Sequence, residues 1–305
     1  MTRETRTLDI RGRRFLLGPR AWLMGILNVT PDSFSDGGLY LETDRAVARG
    51  LELVHEGADI IDVGGESTRP GSRPVPEAEE MERVVPVVRA LRKKTSALLS
   101  VDTTKAAVAR AALDAGADIV NDTSALRFDP AMAGTVARSG AAVVLMHMQG
   151  TPLTMQDAPR YDDVIGEIGA FLDERIRVAE ASGIPRDRVI VDPGVGFGKT
   201  FEHNLEIVRR QGAFAGLGRP LLVGVSRKAF LGQLLDRPAG ERLEGTIAAA
   251  VLSFERGAHI LRVHDVGPVA RAVRTAEAVL AAGGAGPAAG GPGLDDPERK
   301  AGDVR

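Results

Sequence analysis

No cysteine occurs anywhere in the chain. A disulfide framework, a thiolate zinc site and a cysteine nucleophile are excluded at once. No apolar run approaches the roughly 18 residues that a membrane span requires. The opening stretch, MTRETRTLDIRGRRF, is charged and has no apolar h-region, so the expected location is the cytoplasm. A surplus of charge is missing too: Lys plus Arg is 39, Asp plus Glu is 41, and the formal net charge is −2. That balance leaves no footprint for nucleic acid or an anionic membrane, and any anion site has to be local.

What remains is an ordinary globular composition. Hydrophobic residues make up 44% of 305, enough for the core of one large domain. Short apolar runs recur at Trp22–Leu27, Asp59–Val63, Ala97–Val101, Ile119–Asn121, Ala142–Met146, Val189–Val191, Leu221–Gly224 and His259–Val263. Several are continuous and β-branched, such as Val189-Ile190-Val191, which suits parallel strands buried on both faces. Helical stretches separate them: Thr43–Glu56, Pro76–Arg92, Lys105–Ala115, Ala131–Ser139, Asp162–Ser182, Glu202–Gln211, Leu243–Arg256 and Pro268–Ala282. In the first of these, Ala46, Val47, Leu51 and Val54 line one helical face. The tetrapeptides EGAD, AGAD and RGAH precede the second, fourth and eighth runs. Each predicts a helix ended by a left-handed glycine, with the chain dropping directly into a strand.

Eight alternating strand–helix units predict a parallel sheet. Polar signatures follow nearly every strand instead of clustering at one switch point, which favours closure into a (β/α)8 TIM barrel over an open sheet. The expected organisation is a hairpin or plug over residues 1–21, a single barrel domain over 22–282, and a disordered tail over 283–305, where Gly, Ala and Pro give way to charge.

Barrel enzymes carry their sites on the segments after the strands. The first strand is followed by Asn28-Val-Thr-Pro-Asp-Ser-Phe34-Ser-Asp36-Gly-Gly, long enough to act as a lid. The second is followed by Asp62-Val-Gly-Gly-Glu-Ser-Thr68-Arg69-Pro-Gly, where glycines permit close approach to a ligand and Arg69 can meet an anion. Asp102 ends the third strand and Asn121 the fourth; a helix cap and an Asx turn are equally good local accounts of the two. Met146 ends the fifth and offers either a wall for a flat ring or ordinary core packing. The sixth runs into Asp192-Pro-Gly-Val-Gly-Phe197-Gly-Lys199. Its glycines shape this loop for a ligand, but it is not a nucleotide loop: a Walker A run needs Gly where Pro193 stands, and the dinucleotide fingerprint needs Gly where Lys199 stands. The seventh gives Ser226-Arg-Lys228, a possible anion site at a helix start. The eighth gives Arg262 and His264, two apart and so on one side of an extended segment, a basic pair suited to phosphate or diphosphate.

Together these motifs resemble those of bacterial dihydropteroate synthases, over about Trp22 to Val279. The first two loop motifs are long and specific; a lone Asp102 or Asn121 is not. The resemblance implies condensation of 6-hydroxymethyl-7,8-dihydropterin diphosphate with 4-aminobenzoate, giving 7,8-dihydropteroate and diphosphate in folate synthesis. It implies assistance by Mg²⁺, competition by sulfonamides and a homodimer. By motif position, Asp102, Asn121, Met146, Asp192 and Lys228 are expected to bind the pterin. Asn28, Thr68, Arg262 and His264 are expected at the diphosphate, with Asn28 also the metal ligand. Phe34, Phe197 and Ser226 border the aminobenzoate pocket. Asp36, Arg69, Lys228, Arg262 and His264 are the expected catalytic set. An inactive pterin-binding paralogue is the alternative, but such a protein has no need of the basic pair and the lid motifs that this chain keeps.

Overall fold

The computed structural model describes residues 4–30, 38–67, 72 and 74–282. Strands β1 (Arg6–Ile10) and β2 (Arg13–Leu17) form an antiparallel hairpin. Its two-residue turn, Arg11-Gly12, has φ of 51° and 79°, the doubly positive geometry that matches strand twist. Eight parallel strands follow: β3 (Trp22–Asn28), β4 (Ile60–Gly64), β5 (Leu98–Asp102), β6 (Ile119–Asp122), β7 (Ala142–Met146), β8 (Val189–Asp192), β9 (Leu222–Val223) and β10 (Ile260–Val263). Their order is β8-β7-β6-β5-β4-β3-β10-β9, and a parallel bridge between Val191 and Leu221 closes the ring.

The helices are α1 (Gly38–Glu56), α2 (Glu77–Arg92), α3 (Ala106–Asp114), α4 (Met132–Ser139), α5 (Val164–Ala181), α6 (Phe201–Arg210), α7 (Ala229–Leu235), α8 (Leu243–Glu255) and α9 (Val266–Ala281). All eight expected strands and all eight expected helices are present, within a few residues. The addition is α7, expected only as a helix start at Ser226-Arg-Lys228 and given no span. It is only seven residues long, too short for a periodic apolar stripe to show in sequence. The glycine tetrapeptides behave as read: Gly57, Gly116 and Gly257 have φ of 111°, 115° and 100°. In each case the next residue donates five residues back, from Ala58, Ala117 and Ala258 to Leu53, Ala112 and Ser253. That is a Schellman ending repeated three times.

Strand alternation sorts the barrel into two cores. Outward residues such as Ile61, Leu99, Val120, Val143 and Val191 pack beneath the helices. Inward residues at the strand starts, among them Met24, Ile60, Leu98, Ile119, Val144, Ile190 and Ile260, form a separate cluster with Leu8, Ile10 and Leu17 of the hairpin. The hairpin is therefore the plug: it caps the end of the barrel where the strands begin. Leu17 is fully buried there, so Leu17→Ala should cost about 3 kcal/mol in urea unfolding, the middle of the range for such cavities. A loss below about 1 kcal/mol, the range of a peripheral substitution, would show that the hairpin is not part of the core.

Candidate functional site

The alternation that builds the inner apolar cluster also builds the site. Counting by two from Ile60, Leu98, Ile119, Val144, Ile190 and Ile260, the next inward residues are Asp62, Ser100, Asn121, Met146, Asp192 and Arg262. One step higher stand Gly64, Asp102 and His264, with Asn28 at the matching end of β3. Apolar layers thus give way to polar ones as the strands run toward their C-terminal ends. Asp102 and Asn121 are register partners across β5 and β6, as are Met146 and Asp192 across β7 and β8.

The charged groups converge. Arg262 Nε donates to Asp62 Oδ2 at 2.7 Å and Arg262 Nη2 donates to Asp102 Oδ2 at 2.7 Å. Asn121 Nδ2 donates to the same Asp62 oxygen at 2.9 Å. Asp192 Oδ1 accepts from Gly194 N at 2.7 Å, which leaves the remaining lone pairs of the carboxylate for a ligand. Lys228 Nζ lies 4.0 Å from the centre of the Phe197 ring, a cation–π contact. Met146, Met148, Met155 and Phe197 make an apolar wall beside these groups. Asp102, Asn121 and Asp192 are buried, while Asn28, Lys228, Arg262 and His264 are half-buried and reach the mouth.

Local accounts of two residues fall away. The start of α3 is served by Asp129, whose Oδ2 accepts from Ala106 N, and by Thr103, whose Oγ1 accepts from Lys105 N; Asp102 is not the cap. The turn after β6 is made by Asp122, which accepts from Ser124 N and Leu126 N and holds Ala125 and Leu126 at positive φ. Asn121 is left to the pocket.

Three expectations change. Gly194 and Gly198 after β8 do not open space for a ligand. A Cβ on Gly194 would stand 1.9 Å from His147 O, and one on Gly198 would stand 2.6 Å from Gln149 O. They let this loop press against the segment after β7. Buried Lys199 locks the same seam, donating to His147 Nδ1 at 2.9 Å and to Phe197 O at 2.8 Å. Second, Arg227 is not part of an anion site, because it forms a two-point ion pair with Asp265 at 3.0 and 2.6 Å. Third, His264 is not a cation. Burial, and then Arg262, push its pKa down to about 3. It is a neutral imidazole, 3.0 Å from Ser226 Oγ through Nδ1, able to donate one hydrogen bond. Arg262 alone of the expected pair carries charge. Burial opposes that charge, but Asp62 and Asp102 outweigh the penalty and its pKa is raised.

Asp62 and Ser100 form a polar floor that motif reading passed over. Both are fully buried on inward positions, and period-two counting from the apolar layer below finds them. The expected residues Phe34, Asp36, Thr68 and Arg69 lie outside the described residues.

Two titrating groups at the mouth, Asp102 and Lys228, set a pH window. Burial raises the Asp102 pKa to about 7, against the pull of Arg262 and with the help of the Asp62 charge. Burial, and then Arg262, lower that of Lys228 to about 8. For Asp102 the folded state binds more protons than the unfolded state between the ordinary carboxylate range and about pH 7, so its contribution to stability falls as pH rises there. For Lys228 the folded state binds fewer between about 8 and the ordinary lysine range, so its contribution falls as pH drops there. Both therefore contribute least to stability in the interval where both are charged. Binding should run the other way. Affinity for a ligand that donates to Asp102 and accepts from Lys228 should rise through about pH 7 as Asp102 becomes an acceptor, and fall above about pH 8 as Lys228 loses its proton. A flat calorimetric profile from pH 6 to 9 would remove both groups from the contact.

A groove of about 350 Å³ opens at the opposite end of the barrel, lined by Arg20, Asp59, Ala270 and Glu277. Three of its charged side chains are held by the fold: Arg20 pairs with Asp59 at 2.6 Å, and Glu277 accepts from Ala21 N at 2.8 Å. It lies away from the polar mouth.

A TIM barrel whose inward strand ends offer acceptors, an amide and a half-buried lysine around an apolar wall, with an arginine at the rim, defines a class: enzymes that hold a flat, hydrogen-bonding heterocycle beside an anion. The model of the pterin binding enzyme family matches residues 24–264. Dihydropteroate synthase from Escherichia coli (strain K12) is 48% identical over 260 residues, covering 85% of this chain and 92% of that one. The solved Yersinia pestis dihydropteroate synthase with a sulfonamide drug complex superposes with a TM-score of 0.85 at 44% identity, covering 90% of this chain and 99% of that one. The Xanthomonas albilineans dihydropteroate synthase in complex with 7,8-dihydropteroate gives 0.81 at 44% identity, with 90% and 99% coverage. The chain belongs to the dihydropteroate synthase family, transferases of folate synthesis.

Proposed function

We propose that this chain joins 6-hydroxymethyl-7,8-dihydropterin diphosphate to 4-aminobenzoate, with Asp102, Asn121, Asp192 and Lys228 holding the pterin and Arg262 and His264 the diphosphate. The observation that carries this division is the placement of buried acceptors and an amide on adjacent inward strand ends, with Arg262 tying two of those strands together at the rim.

A pterin presents neighbouring N–H donors and a carbonyl. Asp192 accepts from the donors through charge-assisted bonds, Lys228 donates to an acceptor, and Asn121, whose NH₂ is engaged by Asp62, accepts through its carbonyl oxygen. The bond that breaks joins the pterin methylene to a diphosphate oxygen, and its electron pair leaves with the diphosphate. The bond that forms joins that carbon to the amine nitrogen, which then gives up a proton. The amine is neutral at pH 7 and needs little base activation, which accounts for a site built without a nucleophile–histidine pair. The work is electrostatic: Arg262 and the His264 N–H face the charge that develops on the leaving oxygens. Phe197 and Ser226 border the apolar side, and we assign the aminobenzoate place there, with Met146 a wall for the pterin ring. The roles expected of Phe34, Asp36, Thr68 and Arg69 in closing over it belong to the same proposal.

The residues fit Mg²⁺. Asn28 offers a hard amide oxygen at the inward end of β3, and Gly64 keeps that corner open: a Cβ there would sit 3.8 Å from Asn28 Oδ1. No cluster of three acidic or imidazole groups suited to a metal is found among the described residues. That suits an ion bound by few protein ligands and otherwise by phosphate and water. When bound, the ion supplies positive charge to the leaving diphosphate. Homodimer formation is part of the proposal, supported by exposed Leu205, Leu234 and Leu252 on the mutually packed α6, α7 and α8. So is a cytoplasmic location; no helix among the described residues is long and apolar enough to cross a membrane.

The test is direct. Protein, Mg²⁺, pterin diphosphate and 4-aminobenzoate should release diphosphate in proportion to the amine added. Pterin binding without amine-dependent release would instead mark an inactive binding protein. Asn28→Ala should raise the Mg²⁺ concentration needed for half-maximal rate; an unchanged titration would count against its role.

A further inference from the structure

Asp62 lies beneath the ligand groups, 0% exposed, and no role above requires it to touch substrate. Its Oδ2 accepts from Arg262 Nε at 2.7 Å and from Asn121 Nδ2 at 2.9 Å. Its Oδ1 is buried with no donor among the described residues. A carboxylate kept for stability alone is expected to satisfy both oxygens. One oxygen of Asp62 instead serves two residues that come from β6 and β10.

We propose that Asp62 is a positioning residue that fixes which atom of the Asn121 amide, and which edge of the Arg262 guanidinium, faces the substrate. This rests on the assignment of Asn121 to the pterin and Arg262 to the diphosphate.

An oxygen that already takes the Arg262 Nε–H is an acceptor, so the Asn121 group turned toward it has to be the NH₂. The Asn121 carbonyl oxygen is then turned to the pocket as an acceptor for a ring N–H. Without this partner the two ends of the amide differ little in shape, and the residue could present either one. At Arg262, Asp62 holds Nε and Asp102 holds Nη2. The guanidinium plane is thereby fixed from two neighbouring strands, with Nη1 left for an anion. Asp62 thus couples recognition of the ring to the setting of the leaving-group cation, through an oxygen shared by both.

The test is Asp62→Asn, which keeps the shape and replaces an acceptor by a group that can also donate. We expect binding of 6-hydroxymethylpterin to weaken by about tenfold, the effect of one misdirected buried hydrogen bond. KM for the pterin diphosphate should rise and kcat fall, while KM for 4-aminobenzoate stays within about twofold, a split that general loosening of the fold does not produce. In an Asn121→Ala background the same change should cost clearly less, because the two residues act as one unit. Equal costs in both backgrounds would overturn the proposal. Asp192→Ala is measured alongside. If it abolishes pterin binding while Asp62→Asn leaves binding unchanged, the positioning role fails and the site assignment stands. If neither variant affects binding, the assignment itself fails.

Should Asp62→Asn not fold, the unmutated protein answers through NMR of asparagine side chains labelled with ¹⁵N. The resonance that disappears in Asn121→Ala should exchange its protons slowly with solvent before any ligand is added. Rapid exchange would show that the Asn121 NH₂ is not held, and would equally overturn the proposal.

Discussion

Replacing Asp192 by Ala is expected to abolish measurable pterin binding. The carboxylate ends β8 on the inward side, is buried, and has one oxygen oriented by Gly194 N. Burial raises its pKa, but the Gly194 bond, Lys228 and Lys199 all favour the charged form. Charge-assisted hydrogen bonds are worth about 1.5–3 kcal/mol each, so losing two from a ring corresponds to at least about a hundredfold in affinity. Asp192→Asn keeps the shape and one acceptor, and should retain part of the binding. Calorimetry with 6-hydroxymethylpterin gives the answer, and affinity unchanged in the alanine variant would overturn the role.

Replacing Arg262 by Ala should separate the two halves of the substrate. The loss for pterin diphosphate is expected to be on the order of a hundredfold in kcat/KM, typical of removing one group that stabilises developing charge. Binding of the pterin alcohol should suffer much less. The same change leaves Asp62 and Asp102 without their shared cation, which is expected to destabilise the fold by about 3–5 kcal/mol. Arg262→Lys is the useful companion. It restores charge but cannot reach two carboxylates through a planar fork, so it should recover stability in part and diphosphate discrimination poorly. Equal losses for alcohol and diphosphate would place Arg262 elsewhere than at the leaving group.

The sequence showed much of this because barrels place chemistry where strands end. The eight apolar runs, the three glycine-ended helices and the plug were readable from short-range pattern. So were the inward polar residues Asp102, Asn121, Asp192, Lys228 and Arg262, which the structure brings to one mouth. What was hidden depends on partners far apart in the chain. Asp62 and Arg262 are 200 residues apart, and Asn121 is 59 from Asp62; no local periodicity reports such contacts. Arg227 read as an anion ligand because its Asp265 partner lies 38 residues on. Gly194 and Gly198 after β8 read as ligand space because the chain they touch, the segment after β7, is invisible from their own spacing. His264 read as a cation because burial and the nearby Arg262 charge are properties of the assembled barrel.

Everything depends on a single mouth that seats a bicyclic ring beside two phosphates. A crystal structure with 6-hydroxymethylpterin and diphosphate tests that most directly. The ring should lie among Asp102, Asn121, Asp192 and Lys228, with the diphosphate against Arg262 and His264. Ring density in the groove by Arg20 and Glu277 at the far end of the barrel, or diphosphate bound away from Arg262, would contradict the account.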